Sequence, residues 1–580
     1  MSKVVFEARE QLKTLIDTAV ASLVSDGVFS NSELREYKIE VPADHNNGDF
    51  SANVAMVNSK VFGMPPRAVA EAIAEKFNLD GTYFTKVEIA GPGFMNFFLS
   101  NEYYADVLLD VYESGETYGR SDYGKGEKVL VEFVSANPTG PMHMGNARGG
   151  ALGDCLAAVL DFAGFYVERE FYINDAGNQI DKFGLSLDIR YQQHFKGEAA
   201  IKLPEDSYHG EDIKILAEEF AEIHGDKYLD ADEATRRAAL VEYALPKNIA
   251  GMKAAMEKYR INYDTWFHES VLHESGAIKD VIDELTKRGY TYEKDGALWY
   301  KNTEVQTAML KAEGKSDKDI EKLDLKDDVL IRANGNPTYF AADIAYHKNK
   351  IDRGFTKNID VWGADHHGHV ARMKGVLFAL GVGADKLDVV LMQLVKLMSN
   401  GEVVKMSKRT GKAITLTDLL DEIPIDAVRF IFNLREAGSQ MEFDLGLAVQ
   451  QDSENPVYYC QYAHARICSI LRKLKEENVE IRSASKEELL KLTAPEEIEL
   501  IRHLSSLTDE MIMAAKAYDP ARITRYLLEL ATLFHKFYNA CRVNVEDEEQ
   551  RAARIHLCIC TKNVLSNVLG MMKISAPEKM

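Results

Sequence analysis

Val129-Leu130-Val131-Glu132-Phe133-Val134-Ser135-Ala136-Asn137-Pro138-Thr139-Gly140-Pro141-Met142-His143-Met144-Gly145-Asn146 is the stretch whose reading decides the fold. An apolar β-type run, Val129 to Val134, feeds a Pro/Gly turn. The turn delivers His143 and Gly145 to the start of a small-residue helix, Ala147 to Val159. Strand, turn and helix start in that order make the phosphate-binding corner of a doubly wound α/β nucleotide fold, where free N–H groups and the helix dipole favour anions. Neither a Gly-x-x-x-x-Gly-Lys-Ser/Thr nor a Gly-x-Gly-x-x-Gly motif occupies that corner; a His-x-Gly-x element does. Far downstream stands the basic stretch Lys405-Met406-Ser407-Lys408-Arg409, flanked by Gly401 and Gly411.

A chain of 580 residues is too long for one core, so several domains are expected. Its 46% hydrophobic and 28% charged content is that of an ordinary globular protein. The run Val389 to Met398 is too short to span a membrane and contains Lys396. Met1 to Glu10 becomes charged before any signal-peptide apolar region forms, so a cytoplasmic protein is expected. Six scattered cysteines without a Cys-x-x-Cys read as reduced thiols. The net charge of −22 weighs against a nucleic-acid partner, yet such binding needs only local Lys/Arg density.

Residues 1 to about 110 read as an α+β unit. A helix there has Leu12, Leu15, Ile16, Ala19 and Leu23 on one face, and two strand-like runs flank Gly91-Pro92-Gly93. Residues 111–450 read as a parallel-sheet domain, interrupted over about 195–325 by a charged, largely helical insertion. The sheet is expected to resume with Val329-Leu330-Ile331, Ile359-Asp360-Val361-Trp362 and Val389-Val390-Leu391. Residues 451–580 are wholly helical, with stripes at Leu500, Leu504, Leu507 and Met511, and at Ile523, Leu527, Leu530, Phe534, Phe537 and Cys541.

His143-x-Gly145-x and Lys405–Arg409 together resemble the HIGH and KMSKS signatures of class I aminoacyl-tRNA synthetases, and their surroundings resemble the arginyl-tRNA synthetase family. The resemblance implies a Rossmann-type catalytic domain. It implies an additional N-terminal domain touching the tRNA elbow, carried by Val41–Phe50 and Val87–Phe98. It implies an anticodon-binding helical bundle, carried by Pro456–Ile467 and Phe537–Val543. The implied activity is ATP-dependent conversion of L-arginine to arginyl-adenylate, with Mg2+ accompanying ATP, and transfer to the 3′ end of tRNA(Arg). A monomer whose activation step depends on bound tRNA is also implied. Two alternatives remain. Another class I enzyme such as the cysteinyl synthetase would use a zinc pocket with cysteines this chain lacks. A non-catalytic RNA-binding relative is disfavoured by intact His143, Gly145, Lys405 and Lys408.

In the implied chemistry a carboxylate attacks the α-phosphate of ATP, a step helped by positioning and by cations on developing charge. His143 and Asn146 can donate hydrogen bonds to phosphate, Gly145 lets backbone lie close to adenine, and Lys405 and Lys408 can close on pyrophosphate. Pro141, Met406 and Ser407 complete the implied ATP-binding set. For arginine the resemblance implies Glu132, Ser135, Asn137, Asn146, the pair Tyr339 and Asp343, and His366. Tyr339 and Asp343, four apart at a helix start, share a face, and a buried Asp343 is costly without a cation opposite it. Three histidines among residues 366–369 invite a metal reading, but neighbours on one turn do not converge on an ion. His268 and His273 are five apart where a His-Glu-x-x-His site needs four, so no metal site is expected. Arg466 and Arg542 are candidate tRNA contacts. Asn146 departs from the signature, whose fourth position is usually His.

Overall fold

The computed structural model describes residues 3–30, 34–42, 44–399, 401–404 and 414–580. Lys405, Met406, Ser407, Lys408 and Arg409 lie outside the described residues.

Lys128–Glu132 is the middle strand of a five-stranded sheet in the order Leu387–Met392, Lys357–Gly363, Lys128–Glu132, Tyr166–Ile173, Thr265–His268, every pair parallel. Val129 to Glu132 are all buried, as expected of a strand covered on both faces. From Lys128–Glu132 the sheet grows first to one side, and from Lys357–Gly363 onward to the other. That switch opens a crevice at the carboxyl ends of these two strands, where ligands bind in folds of this kind.

The helix after the turn runs Gly145–Phe162 and is buried from Ala147 to Leu160. Its glycines set how closely it approaches the sheet. A Cβ at Gly153 would lie 2.1 Å from Phe133 Cγ, and one at Gly150 would lie 2.9 Å from Ile261 Cδ1. Gly153→Ala is therefore expected to lower the melting temperature. Overpacking costs about 1–3 kcal/mol and outweighs the gain of roughly 1 kcal/mol in helix propensity. An unchanged or raised melting temperature would mean that Phe133 moves aside freely.

Two strands differ from the sequence expectation. Val329–Ile331 does form a strand, Asp328–Ile331, but it pairs antiparallel with Ala297–Tyr300 in a separate three-stranded sheet. The parallel sheet instead takes its edge from Thr265–His268, inside the stretch read as a helical insertion. Four residues between Asp264 and Glu269 are too few to show a strand period after the long helix Glu233–Lys258. The small sheet still serves the site: Thr338 donates its amide to Leu330 O (2.9 Å) and its hydroxyl to Val329 O (2.8 Å), fixing the start of the helix Tyr339–Asp352.

The N-terminal unit is a four-stranded antiparallel sheet packed on helices, Phe84–Ala90 and Phe94–Leu99 being the hairpin about Gly91-Pro92-Gly93. The C-terminal region is helical. Its stripe at Leu500, Leu504, Leu507 and Met511 is divided at Ser506 between Pro495–Ser505 and Leu507–Ala517. Ala521–Ala540 carries the second stripe from Ile523 to Phe537, and Cys541 follows as its cap, all buried.

A buried ionic hub joins this region to the sheet. Arg429 Nη2 donates to Asp154 Oδ2 (2.5 Å), Nε to Met572 O (2.7 Å) and Nη1 to Tyr259 O (3.0 Å). Lys573 and Arg169 close on the other oxygen of Asp154. Burial opposes the charge on Asp154, but the three cations hold its carboxyl below the usual range.

Candidate active site

Beyond Glu132 the chain leaves the sheet through Val134 (φ 73°) and Ser135 (φ 42°). A left-handed conformation is costly for a branched residue such as valine, on the order of 1–3 kcal/mol, and persists only where surroundings enforce it. Here the Ser135 hydroxyl donates to Glu132 Oε1 (2.7 Å) and accepts from the Tyr172 amide (3.1 Å). The Tyr263 hydroxyl holds Phe133 O (3.1 Å), and Asn248 holds Pro138 O (3.0 Å).

The bend opens a cleft of about 1100 Å³. Ser135, Asn137, Pro141, His143 and Asn146 line one wall; Glu211 and Ile215, from the helix Glu211–His224, line the other. Asn146 Oδ1 accepts from the His143 amide (3.0 Å), so Asn146 shapes the turn and keeps its NH2 group for a ligand. Gly145 is exposed, and a Cβ there would meet nothing within 4 Å. The chain re-enters the described residues against this turn: Met144 donates to Ile414 O (3.1 Å), Leu416 donates to Met142 O (2.8 Å), and His143 bridges to Thr415.

A second group of side chains lies on the elements around the sheet crevice. Tyr339 and Asp343 start the helix Tyr339–Asp352, capped by Thr338. Tyr339 is 39% exposed and packs over Gly177, whose Cβ would lie 3.5 Å from Tyr339 Cε1. Asp343 Oδ2 is 3.0 Å from His369 Nε2. Glu269, only 3% exposed, follows the edge strand and accepts from the Tyr172 hydroxyl, with His273 Nε2 3.4 Å away. Burial raises the Glu269 carboxyl above the usual range and Asp343 adds repulsion, while His273 and Tyr172 offset part of it. Two carboxylates that repel one another beside a tyrosine make a site that a cation relieves.

Glu132 has both oxygens engaged, one by Ser135 and the other by Lys350 Nζ (2.5 Å). Lys350, fully buried, also donates to Asp360 (2.8 Å), and the other Asp360 oxygen meets His347 Nε2 (2.9 Å). Burial raises the Glu132 carboxyl; Asp360, though equally buried, is held low by Lys350 and His347.

The sequence-expected residues thus fall into two groups, Ser135, Asn137, Pro141, His143, Gly145 and Asn146 at the turn, and Tyr339 with Asp343 beside Glu269. His366 stays apart, its side chain 60% exposed and facing Asp365 and Trp362. Sequence reasoning passed over Glu269, His369 and Lys350. A Glu bracketed by His268 and His273 drew attention only to metal, and Lys350 pairs with a residue 218 positions away.

Residues 10–99 match the family described as the arginyl tRNA synthetase N terminal domain, residues 110–442 the class I (R) tRNA synthetase catalytic domain, and residues 460–580 the DALR anticodon binding domain. The chain is 52% identical to the arginine–tRNA ligase of Caldanaerobacter subterraneus subsp. tengcongensis and 50% identical to that of Ruminiclostridium cellulolyticum, with all of each chain covered. It belongs to the arginyl-tRNA synthetase family. The fold is shared with the Thermus thermophilus arginyl-tRNA synthetase at a TM-score of 0.73, 22% identity, and coverage of 99% of this chain and 100% of the other.

In this synthetase the region matching the anticodon-binding family carries an aromatic pocket of about 440 Å³ on the helices Pro456–Glu476 and Ala521–Ala540. Tyr458, Tyr462, His535 and Asn539 line it, and the Arg466 guanidinium lies over Tyr462 (5.5 Å) and Tyr538 (4.8 Å). His535 Nδ1 is buried without a partner among the described residues, and burial lowers its pKa to about 4, with Arg466 adding to the shift. Arg542 is exposed just beyond the second helix.

Among the described residues no group of His, Cys, Asp and Glu has metal-holding geometry. No described helix is long and apolar enough to cross a membrane. All six cysteines are free, and burial pushes the Cys155 and Cys558 thiols up to about 12.

Proposed function

We propose that this protein is an arginine–tRNA ligase working in one site in two steps, and that the residues above carry it. The arginine carboxylate attacks the α-phosphate of ATP, giving arginyl-adenylate and pyrophosphate. A terminal ribose hydroxyl of tRNA(Arg) then attacks the mixed anhydride and releases AMP. The observation that carries the reading is the pairing of an open nucleotide turn with two mutually repelling carboxylates, the buried Glu269 and the part-exposed Asp343, which among the described residues meet histidines and no Lys or Arg.

ATP fits the turn. The empty space at Gly145 receives the adenine face, and the Asn146 NH2 group and the His143 ring face phosphate at the positive end of the helix dipole. Mg2+ arrives on the triphosphate; no protein ligand is assigned to it, and Glu211 and Asp212 are the carboxylates on the cleft wall. The guanidinium, planar and always charged, takes Asp343 and Glu269, with Tyr339 against its face. Glu132, neutralised by Lys350, orients the amino-acid end through Ser135 and Asn137 rather than countering the guanidinium. His366, whose side chain is 60% exposed and faces Asp365 and Trp362, is the proposed contact to the substrate amine. A cytoplasmic monomer is the natural setting for such a ligase. Purified protein given bulk tRNA, ATP and each labelled amino acid in turn should charge arginine alone; charging of another amino acid, or none, would overturn the reading.

Asn146→Ala is expected to slow adenylate formation, since losing one donor and the acceptor of the His143 amide costs about 1–3 kcal/mol. Asn146→His should stay near wild type, because a neutral imidazole accepts with one nitrogen and donates with the other. An inactive wild type restored by Asn146→His would instead mark a decayed site.

Arg466 and Arg542 are proposed to meet tRNA phosphates beside the aromatic pocket. Reversing either charge should flatten the log–log salt dependence of tRNA binding by about one unit for each phosphate no longer neutralised. An unchanged slope in both variants would put the tRNA on another face.

A further inference from the structure

Arg148 follows Asn146 by two positions in the helix Gly145–Phe162, and none of its surface is exposed. A buried guanidinium is ordinarily paired with a carboxylate. Among the described residues this one meets backbone alone: Nη1 donates to Gln393 O (2.7 Å) and Ser439 O (3.0 Å), and Nη2 donates to Glu436 O (3.0 Å). Its Nε has no partner among the described residues. Burial without a counter-ion lowers its pKa to about 10, which leaves it a cation at neutral pH. An interior cation with no counter-charge among the described residues burdens the fold, so its presence calls for a reason beyond packing.

The acceptors supply that reason. Gln393 lies between the sheet strand Leu387–Met392 and the strand Val395–Ser399; Glu436 and Ser439 precede Met441–Asp444. Val395–Ser399 and Met441–Asp444 pair in parallel, and the Gln393 amide donates to Ala437 O (3.0 Å). The guanidinium therefore sits in the fork from which this two-strand stem departs. Gly149, the next residue, lies against the same junction, its Cβ position 3.6 Å from Met392 Cε. From Val395–Ser399 the chain runs through Glu402–Val403 to Lys405, and it returns as Ile414–Leu416 onto Met142–Met144. Departure and return are both anchored on the nucleotide turn and its helix, the return by backbone pairs and the departure by Arg148.

We infer that Arg148 is a positioning residue for adenylate formation, fixing the stem that leads to Lys405 against the helix that carries Gly145 and Asn146. It touches no substrate. The inference rests on the proposed reading of the turn as the ATP site and on Lys405 and Lys408 acting on the phosphates.

The test is arginine-dependent ATP–pyrophosphate exchange by the full chain with tRNA(Arg) present, in wild type, Arg148→Lys and Arg148→Met. Rates are normalised to active sites by the burst of adenylate formed. Lysine keeps the charge but cannot span three acceptors with a compact ammonium. Misplacement of the order of an ångström costs about 100-fold, so kcat per active site should fall by about 10- to 100-fold in Arg148→Lys and further in Arg148→Met. The KM for arginine and the affinity for tRNA should stay within about threefold, since neither ground-state interaction is touched. A merely structural role would lower the burst amplitude and the melting temperature and leave kcat per active site unchanged. That outcome, or an Arg148→Lys protein that does not fold, overturns the inference. A wild type without arginine-dependent exchange would remove the underlying reading instead.

Discussion

Lys408→Ala is expected to slow adenylate formation by about 100- to 1,000-fold while the KM for ATP stays nearly constant, as is typical when one preorganised group facing developing charge is removed. In ATP the pyrophosphate moiety shares its charge with the α-phosphate; as the bond breaks, that charge collects on the leaving group. A cation that meets it then lowers the barrier more than it strengthens ground-state binding. The chain re-enters the described residues at Ile414–Leu416 in backbone contact with Met142–Met144, the turn proposed to receive ATP. Rapid-quench measurement of adenylate, with ATP varied, separates the two parameters. A variant within about threefold of wild type would take Lys408 out of the mechanism.

Asp343→Asn keeps shape and one hydrogen-bonding oxygen but removes half of the charge facing the guanidinium. A hydrogen bond to a charged group is worth about 1.5–3 kcal/mol, so the KM for arginine should rise by roughly tenfold or more with little change for ATP. Glu269→Gln should behave alike, and it adds a pH signature. The Glu269 carboxyl lies above the usual range because burial outweighs the opposing His273 and Tyr172 contacts, with a small further push from Asp343. Only its ionised form pairs with arginine, so affinity is present above that raised pKa and lost as pH falls through it. The KM for arginine should climb on acidification in wild type, whereas in Glu269→Gln it should be high and flat. Equal losses for ATP and arginine in either variant would indicate a disturbed fold rather than a missing counter-charge.

What was legible in the sequence is what local pattern encodes. Val129 to Asn146 announced strand, turn and helix because apolar run, Pro/Gly punctuation and small residues follow one another directly. Tyr339 and Asp343 were legible because helical spacing alone puts them on one face. Glu269 was not, since Tyr172, which donates to it, and Asp343, which repels it, come from other elements and nothing adjacent hints at them. Of the histidines at 366, 367 and 369 only His366 was marked, by the resemblance; its side chain is 60% exposed at the turn Ala364–His366, and the helix His367–Ala379 brings His369 to Asp343. Arg148 and Lys350 are cationic residues inside apolar surroundings, and their acceptors, Gln393, Ser439 and Glu436 for one, Glu132 and Asp360 for the other, become neighbours only when the sheet closes.

The hub at Asp154 bears on how such a chain can change over time. A catalytic core whose nucleotide helix is wired to Met572 and Lys573 cannot be traded between proteins as a self-contained cassette. Severed from its own tail, the core keeps Asp154 and Arg429 in the interior with fewer partners, and depriving a buried ionic group of a partner costs about 3–5 kcal/mol, a large share of a domain's margin. Fusions, circular permutations and inherited recombinations that separate residues 110–442 from residues 570–575 are thereby selected against. The last turn of the RNA-binding end and the first helix of the catalytic end have to be inherited together.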